Sequence, residues 1–161
     1  RVFRMCYAAK EEGASLQGYY AQHQETNPDT KSQICTVLAR SFADIGDIVR
    51  GRDLFYGNTQ ESTQRKQLDD KLKEIFKNIK KNNQSKLGSL KLDQVREYWW
   101  ALNRNDVWKA ITCDAHAFYY FRPTCSTGTG TQGRCRCVSA DPPTDFDYLR
   151  HYLRWFEEWA E

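Results

Sequence analysis

Ile34-Cys35-Thr36-Val37-Leu38-Ala39-Arg40-Ser41-Phe42-Ala43-Asp44-Ile45-Gly46-Asp47-Ile48-Val49-Arg50-Gly51 is the stretch that decides the fold. Its large apolar side chains stand at positions 34, 37, 38, 42, 45, 48 and 49. At about 100° per residue these fall within one arc of a helix, with Arg40, Ala43, Asp47 and Arg50 on the opposite side. Pro28 followed by Asp29-Thr30 supplies a start signal, and Gly51 stands where a left-handed residue ends a helix. The spacing predicts a core-facing helix over residues 31–50.

Towards the N-terminus, Val2, Cys6, Ala9, Gly13, Leu16 and Tyr20 recur at alternating spacings of four and three. That pattern predicts a helix from residue 1 to about 22 with a packed seam, turned antiparallel to the next by the breaker Asn27-Pro28-Asp29. Towards the C-terminus, Leu54 to Asn58 reads as a turn. Leu68, Leu72, Ile75, Phe76 and Ile79 then form the inward stripe of another helix, and Asn82 to Ser85 with Gly88-Ser89 form a loop. Leu92, Val95, Tyr98, Trp99 and Leu102 resume the helical period. A break is expected at Asn103-Arg104-Asn105, where Asn105 caps a turn through Val107, Trp108 and Ile111 to Cys113. At this spacing Trp99, Trp100 and Trp108 read as core side chains rather than as a stacking platform for sugars. After Pro142-Pro143, with Thr144 or Asp145 as cap, Phe146, Leu149, Leu153, Phe156 and Trp159 or Ala160 mark a last helix. The whole is an all-α antiparallel bundle, and 161 residues suit one domain with a substantial core.

The chain holds six cysteines, Cys6, Cys35, Cys113, Cys125, Cys135 and Cys137. Six sulfurs allow 15 pairings, and spacing does not choose among them. Four lie around the Gly- and Thr-rich loop from Ser126 to Gly133, which suggests cross-links stapling a segment without its own core, in an oxidising compartment. The preferred partition pairs Cys6 with Cys35 and leaves the other four to bond among themselves. A zinc site is the rival, but Cys135 and Cys137 are separated only by Arg136, which is not the usual knuckle spacing. No metal or other cofactor is expected.

Charge is unevenly placed. From Gln64 to Lys91 there are nine Lys or Arg against three Asp or Glu, a net +6, whereas the whole chain carries +3. Lys66, Lys73, Lys77, Lys80 and Lys81 share an arc of roughly 100° opposite the apolar stripe, the arrangement of a polyanion-binding row. Nucleic acid is disfavoured as the polyanion, because the pI is only about 8.5 and the row is lysine rather than arginine. No run approaches the roughly 20 apolar residues of a membrane span, and mean hydropathy is −0.80, so no direct membrane insertion by this segment is expected. His23, His116 and His151 are scattered without metalloprotease spacing, and there is no phosphate loop or nucleophile elbow. The pattern is not that of an enzyme.

Four strings carry a resemblance. Ala39 to Gly51 continuing into Arg52-Asp53-Leu54-Phe55, then Arg96-Glu97-Tyr98-Trp99-Trp100, Val107 to Cys113, and Tyr152-Leu153-Arg154-Trp155-Phe156-Glu157-Glu158-Trp159 resemble, in order, the motifs of Duffy-binding-like domains of malaria-parasite adhesins. Ile45-Gly46-Asp47-Ile48, preceded by Thr36-Val37-Leu38-Ala39, is most similar to the alpha class of the variant erythrocyte membrane protein family. Before the last motif, Leu149-Arg150-His151 stands where family members often carry a Val-Pro-Gln-like segment. The resemblance implies the central part of such a domain, with residues 145–161 opening a further helical subdomain and the chain a piece of a longer, membrane-anchored protein. It implies a cell-adhesion module of a variant surface antigen on the infected erythrocyte, binding a host cell-surface receptor or a sulfated glycan such as heparan sulfate and exposed to antibodies. The alternatives are a zinc-stabilised intracellular scaffold, or a structural segment whose parent binds its receptor elsewhere.

Overall fold

A computed structural model of the chain describes residues 2–26, 34–52, 58–113, 115, 125, 130–131, 135–138 and 141–149. The predicted start signal at Pro28 to Thr30, most of the turn at 54–58, and the last helix beyond Leu149 lie outside the described residues. The described residues are mostly helical, with no strand among them. They form α1 (Val2–Thr26), α2 (Ile34–Arg50), α3 (Thr59–Asn82), α4 (Gln84–Leu87) and α5 (Leu92–Ile111), followed by a 3₁₀ turn at Phe146–Tyr148. They group into two compact units, Arg1–Ile45 with Asn103–Glu161, and Gly46–Leu102, so α2 and α5 each supply residues to both.

The helix that sets the fold class ends as its sequence requires. Gly51 has φ +73°, its N–H donates to the Ile48 carbonyl at 3.2 Å, and Arg52 N–H donates to the Asp47 carbonyl at 2.8 Å. This pair of bonds is the Schellman arrangement, in which a left-handed glycine satisfies the last carbonyls of a helix. The predicted polar side of α2 is not a solvent face, however. Ala43 is fully buried, Asp47 is 7 % exposed and Arg50 4 % exposed; only Arg40 of the four is exposed. Arg50 tolerates burial because Asp47 Oδ1 lies 3.1 Å from its Nη2, the Gly46 carbonyl accepts from its Nε at 3.0 Å, and its guanidinium lies 5.9 Å from the Trp100 ring centroid.

In the first unit, Phe42 meets Trp108 edge to face at 5.2 Å, among buried Ile34, Leu38, Val107 and Ile111. Of the predicted α1 seam, Ala9 and Gly13 are buried, Cys6 and Leu16 half-buried, while the side chains of Val2 and Tyr20 lie outside the description. A Cβ at Gly13 would stand 2.1 Å from the Ile111 carbonyl oxygen, so α1 approaches α5 there as only glycine permits.

Two expectations about elements are corrected. α5 runs unbroken through Asn103-Arg104-Asn105. Instead of turning back on their own backbone, these side chains reach distant acceptors: Asn105 Nδ2 donates to Asp141 Oδ1 at 2.8 Å, and Arg104 binds both oxygens of fully buried Asp147 at 2.8 and 2.7 Å. The last helix does not begin at 145. Asp145 is the N-cap of a turn of only three 3₁₀ residues and makes no side-chain cap bond, Thr144 Oγ1 accepts from the Phe146 N–H at 3.2 Å, and Leu149 is already extended at ψ 141°.

The cysteine partition is also corrected. Cys35 bonds to Cys135, not to Cys6, and Cys125 bonds to Cys137, while Cys6 and Cys113 are free thiols. Trp108 Nε1 donates to the Cys135 carbonyl at 3.2 Å. Arg136 Nε and Nη2 donate to Thr112 Oγ1 at 2.7 Å and the Lys109 carbonyl at 2.6 Å. Those bonds hold Cys135 on the end of α5, where its Cα comes 5.5 Å from that of Cys35. Cys6 cannot reach Cys113: it lies seven residues, about 10 Å of helix axis, before the Gly13 to Ile111 contact, whereas Cys113 is two residues past it. Burial, and then the Asp106 charge, push the Cys6 thiol up and keep it protonated. The zinc alternative loses its ligands, because the thiolates it needs at Cys135 and Cys137 are consumed in bridges.

Candidate functional site

All five lysines of the predicted row lie on α3, within the Gly46–Leu102 unit. The helix starts where Asn58 accepts from the Glu61 N–H at 2.9 Å through its side-chain oxygen. Its rotation is set by a narrower stripe than the sequence suggests. Leu72 and Phe76 are buried and Ile79 is half-buried, but Leu68 and Ile75 remain 42 % and 40 % exposed. Phe76 meets Trp99 edge to face at 5.9 Å and lies 5.6 Å from the Arg96 guanidinium, and these contacts turn the lysine arc outward.

Arg96 is the hub of this unit. It is 2 % exposed and spends its donors on three partners: the Val49 carbonyl at 2.6 Å, the Ile48 carbonyl at 2.9 Å and Asp69 Oδ1 at 3.1 Å. One guanidinium therefore joins the C-terminal turn of α2, the middle of α3 and the start of α5. Gly51 makes room for it: a Cβ there would stand 2.8 Å from Arg96 Nη1. Beyond its place in the second motif, Arg96 shows itself in the sequence only by register, as Leu92, Val95, Arg96 and Trp99 follow the spacing i, i+3, i+4, i+7 of a buried face. An arginine in an apolar register was the available signal.

The row itself divides. Lys73 Nζ sits 2.7 Å from Asp69 Oδ2 and 4.0 Å from Asp70 Oδ1, and its pKa is raised, first by the hydrogen bond to Asp69. Lys80 is half-buried and donates to the Leu90 carbonyl at 2.6 Å, closing the α3 to α5 connection. Both are engaged in the fold. Lys66, Lys77 and Lys81 are exposed and have no ion-pair or hydrogen-bond partner among the described residues. The i, i+4 relation of Asp69 to Lys73 was visible in the sequence; the tie of Lys80 to a carbonyl ten residues on was not.

Burial alone would raise the Asp69 carboxyl, but the hydrogen bonds and charges of Lys73 and Arg96 outweigh it and hold it below its ordinary value near 3.8. A carboxyl lowered on folding contributes stability that is fully present above the unfolded pKa and is lost as pH falls through the folded one. An acid titration of the urea midpoint is therefore expected to fall below about pH 4. Asp69→Asn is expected to flatten that fall and to lower the midpoint at pH 7; an unchanged acid limb would show that Asp69 plays no part.

Two cavities of this unit flank the end of α2, one against α3 and the other against α5. One, of about 200 Å³, is lined by Ile48, Ser62, Arg65, Lys66 and Asp69 among others. The other, of about 540 Å³, lies between Arg52 after α2 and the first turns of α5, where Arg52 Nη2 is 2.6 Å from Glu97 Oε1. Among the described residues no group of three or more His, Cys, Asp or Glu could hold a metal ion. No described helix is long and apolar enough to cross a membrane. What α3 presents is a set of ammonium groups whose contacts with an anion would each be weak and screened by salt.

Comparison with family models matches residues 2–154 to the Duffy binding domain. Among curated proteins, none matches the chain.

Proposed function

The chain belongs to the Duffy binding domain family, whose members are receptor-binding adhesion modules, and from that premise we propose that α3 presents a sulfated-glycan site on a variant surface antigen of the alpha class. The parent protein would stand on the infected erythrocyte, attach it to host cell-surface receptors, and be open to antibodies. The observation that carries the reading is the division of the lysine row. Lys66, Lys77 and Lys81 are exposed and without partners among the described residues, on a segment whose net charge of +6 exceeds that of the whole chain. Lys66 and Lys77 are about 16 Å apart along the helix, and Lys81 about 6 Å further, a span that several sulfate groups of one glycan chain can follow. Binding of this kind needs no chemistry from the protein.

Retention on a heparin column tests it. The triple variant Lys66→Glu, Lys77→Glu, Lys81→Glu is expected to elute at markedly lower salt than the wild type. Lys73→Glu is expected to cost stability more than retention, because it puts a like charge against Asp69 and Asp70. Unchanged retention of the triple variant would remove the glycan reading of this face and favour a structural segment whose parent binds elsewhere.

A further inference from the structure

The larger of the two cavities differs in sign from the lysine row. Arg50, Arg52, Asp93, Glu97 and Tyr98 are among its lining, all of them in the Gly46–Leu102 unit. Three of its four charged side chains are matched within the fold: Arg50 Nη2 lies 3.1 Å from Asp47 Oδ1, and Arg52 Nη2 lies 2.6 Å from Glu97 Oε1. Asp93 is the fourth. It is exposed, and it has no ion-pair or hydrogen-bond partner among the described residues. Its place in the first turn of α5 is one that favours negative charge. The far wall is aromatic and bare: Tyr98 is 57 % exposed, and Leu102, one turn on along the same face, is 82 % exposed. Helical side chains lean toward the N-terminus of their helix, so the Tyr98 ring leans toward the Asp93 end, about 7.5 Å of helix rise away. A single bare leucine is ordinary, but this one adjoins a bare tyrosine at a cavity that keeps an unmatched charge.

We propose that this cavity receives an arginine side chain of a protein partner, with the guanidinium on Asp93, the alkyl stem along the Tyr98 ring, and a neighbouring apolar side chain of the same partner on Leu102. The inference goes beyond the glycan reading and does not depend on it, since the lysines of α3 call for an anion and this face of α5 calls for a cation. A sulfated chain would meet Asp93 as repulsion. A metal ion would need more oxygen ligands than one unmatched carboxylate supplies. A guanidinium is planar, so it takes both oxygens of a single carboxylate as a fork and its flat, weakly hydrated surface lies against an aromatic face. The volume of about 540 Å³ falls in the roughly 300–1,000 Å³ of ligand pockets and exceeds what one side chain fills, which leaves room for the neighbouring residue of the partner.

The test titrates the folded chain with acetyl-leucyl-arginine amide and with acetyl-leucyl-citrulline amide, which has the same shape without the charge, and follows backbone amide shifts by NMR. The wild type is expected to bind the arginine peptide with a Kd of about 1 mM, with the shifts centred on residues 93 to 102, and the citrulline peptide about tenfold more weakly. Asp93→Asn is expected to bring the arginine peptide down to the level of the citrulline peptide and to leave the citrulline peptide as it was. Tyr98→Ala and Leu102→Ser are each expected to weaken both peptides about threefold, as losses of apolar contact. All three positions are exposed, so the urea midpoints of these variants are expected to stay near that of the wild type. Heparin retention is not expected to fall in Asp93→Asn, so the loss of either reading shows without the other. The proposal is overturned if the arginine and citrulline peptides bind equally, if Asp93→Asn binds the arginine peptide like the wild type, or if the arginine peptide at about 10 mM shifts none of residues 93 to 102.

Discussion

Replacing Cys35 and Cys135 together with alanine is expected to lower stability by about 4–5 kcal/mol, because their bridge closes a loop with a sequence separation of 100 residues. Small domains have only about 5–15 kcal/mol in total, so this variant stands close to unfolding at physiological temperature. A melting temperature lower by roughly 10–20 °C is the expected reading for a chain of this size. Alanine is the better substitute, since both sulfurs belong to fully buried residues and serine would bury an unpartnered hydroxyl. The Cys125 to Cys137 bridge has a separation of 12, and its removal is expected to cost about 3 kcal/mol or less. Melting of the two double variants under non-reducing conditions separates the cases. Equal losses would show that the longer loop is already compact before folding and that its bridge constrains little.

Arg96→Ala is the second large effect, expected at about 3–5 kcal/mol. Truncation removes the Arg96 donor from the Val49 carbonyl, leaves the Ile48 carbonyl with the Gly51 N–H alone, and leaves the Asp69 carboxylate with Lys73. It also empties the space against Phe76. Arg96→Lys recovers only part of this, because one ammonium group cannot reproduce a planar fork that meets three acceptors. Urea unfolding of the two variants measures the order. Heparin retention of Arg96→Lys is expected to fall with stability though no surface lysine has changed, since α3 then loses the clamp that orients its outer face. A loss of less than about 1 kcal/mol for Arg96→Ala would mean that Phe76 and Leu72 hold α3 by themselves.

The asymmetry between these two sites and the lysine row shows where sequence reading succeeds. Charge excess over residues 64–91 and the common arc of five lysines follow from local order alone, and the helix that carries them is where the spacing places it. Whether a given lysine is available depends on what it meets. Lys73 is occupied by a neighbour one turn away, which periodicity anticipates; Lys80 is occupied by the Leu90 carbonyl after the chain has turned, which it does not. Similarly, Leu68 and Ile75 match the apolar stripe by spacing, yet 42 % and 40 % of each remains exposed.

By itself, the sequence determined the all-α class, the glycine stop of α2, the burial of Trp100 and Trp108, and the family, through ordered motifs along nearly the whole chain. These are local or additive properties: a 3.6-residue period, a left-handed glycine, a string of large apolar side chains. Only the tertiary structure decided which sulfurs bond, that Arg96 and Asp147 are buried, and that α5 passes unbroken through Asn103 to Asn105. Each of the last two turns on partners far off in the chain, as Arg96 meets Val49 across 47 residues and Arg104 meets Asp147 across 43. A charged side chain can lie inside when its counter-charge and acceptors arrive with the fold, and no pattern within one helix announces their arrival.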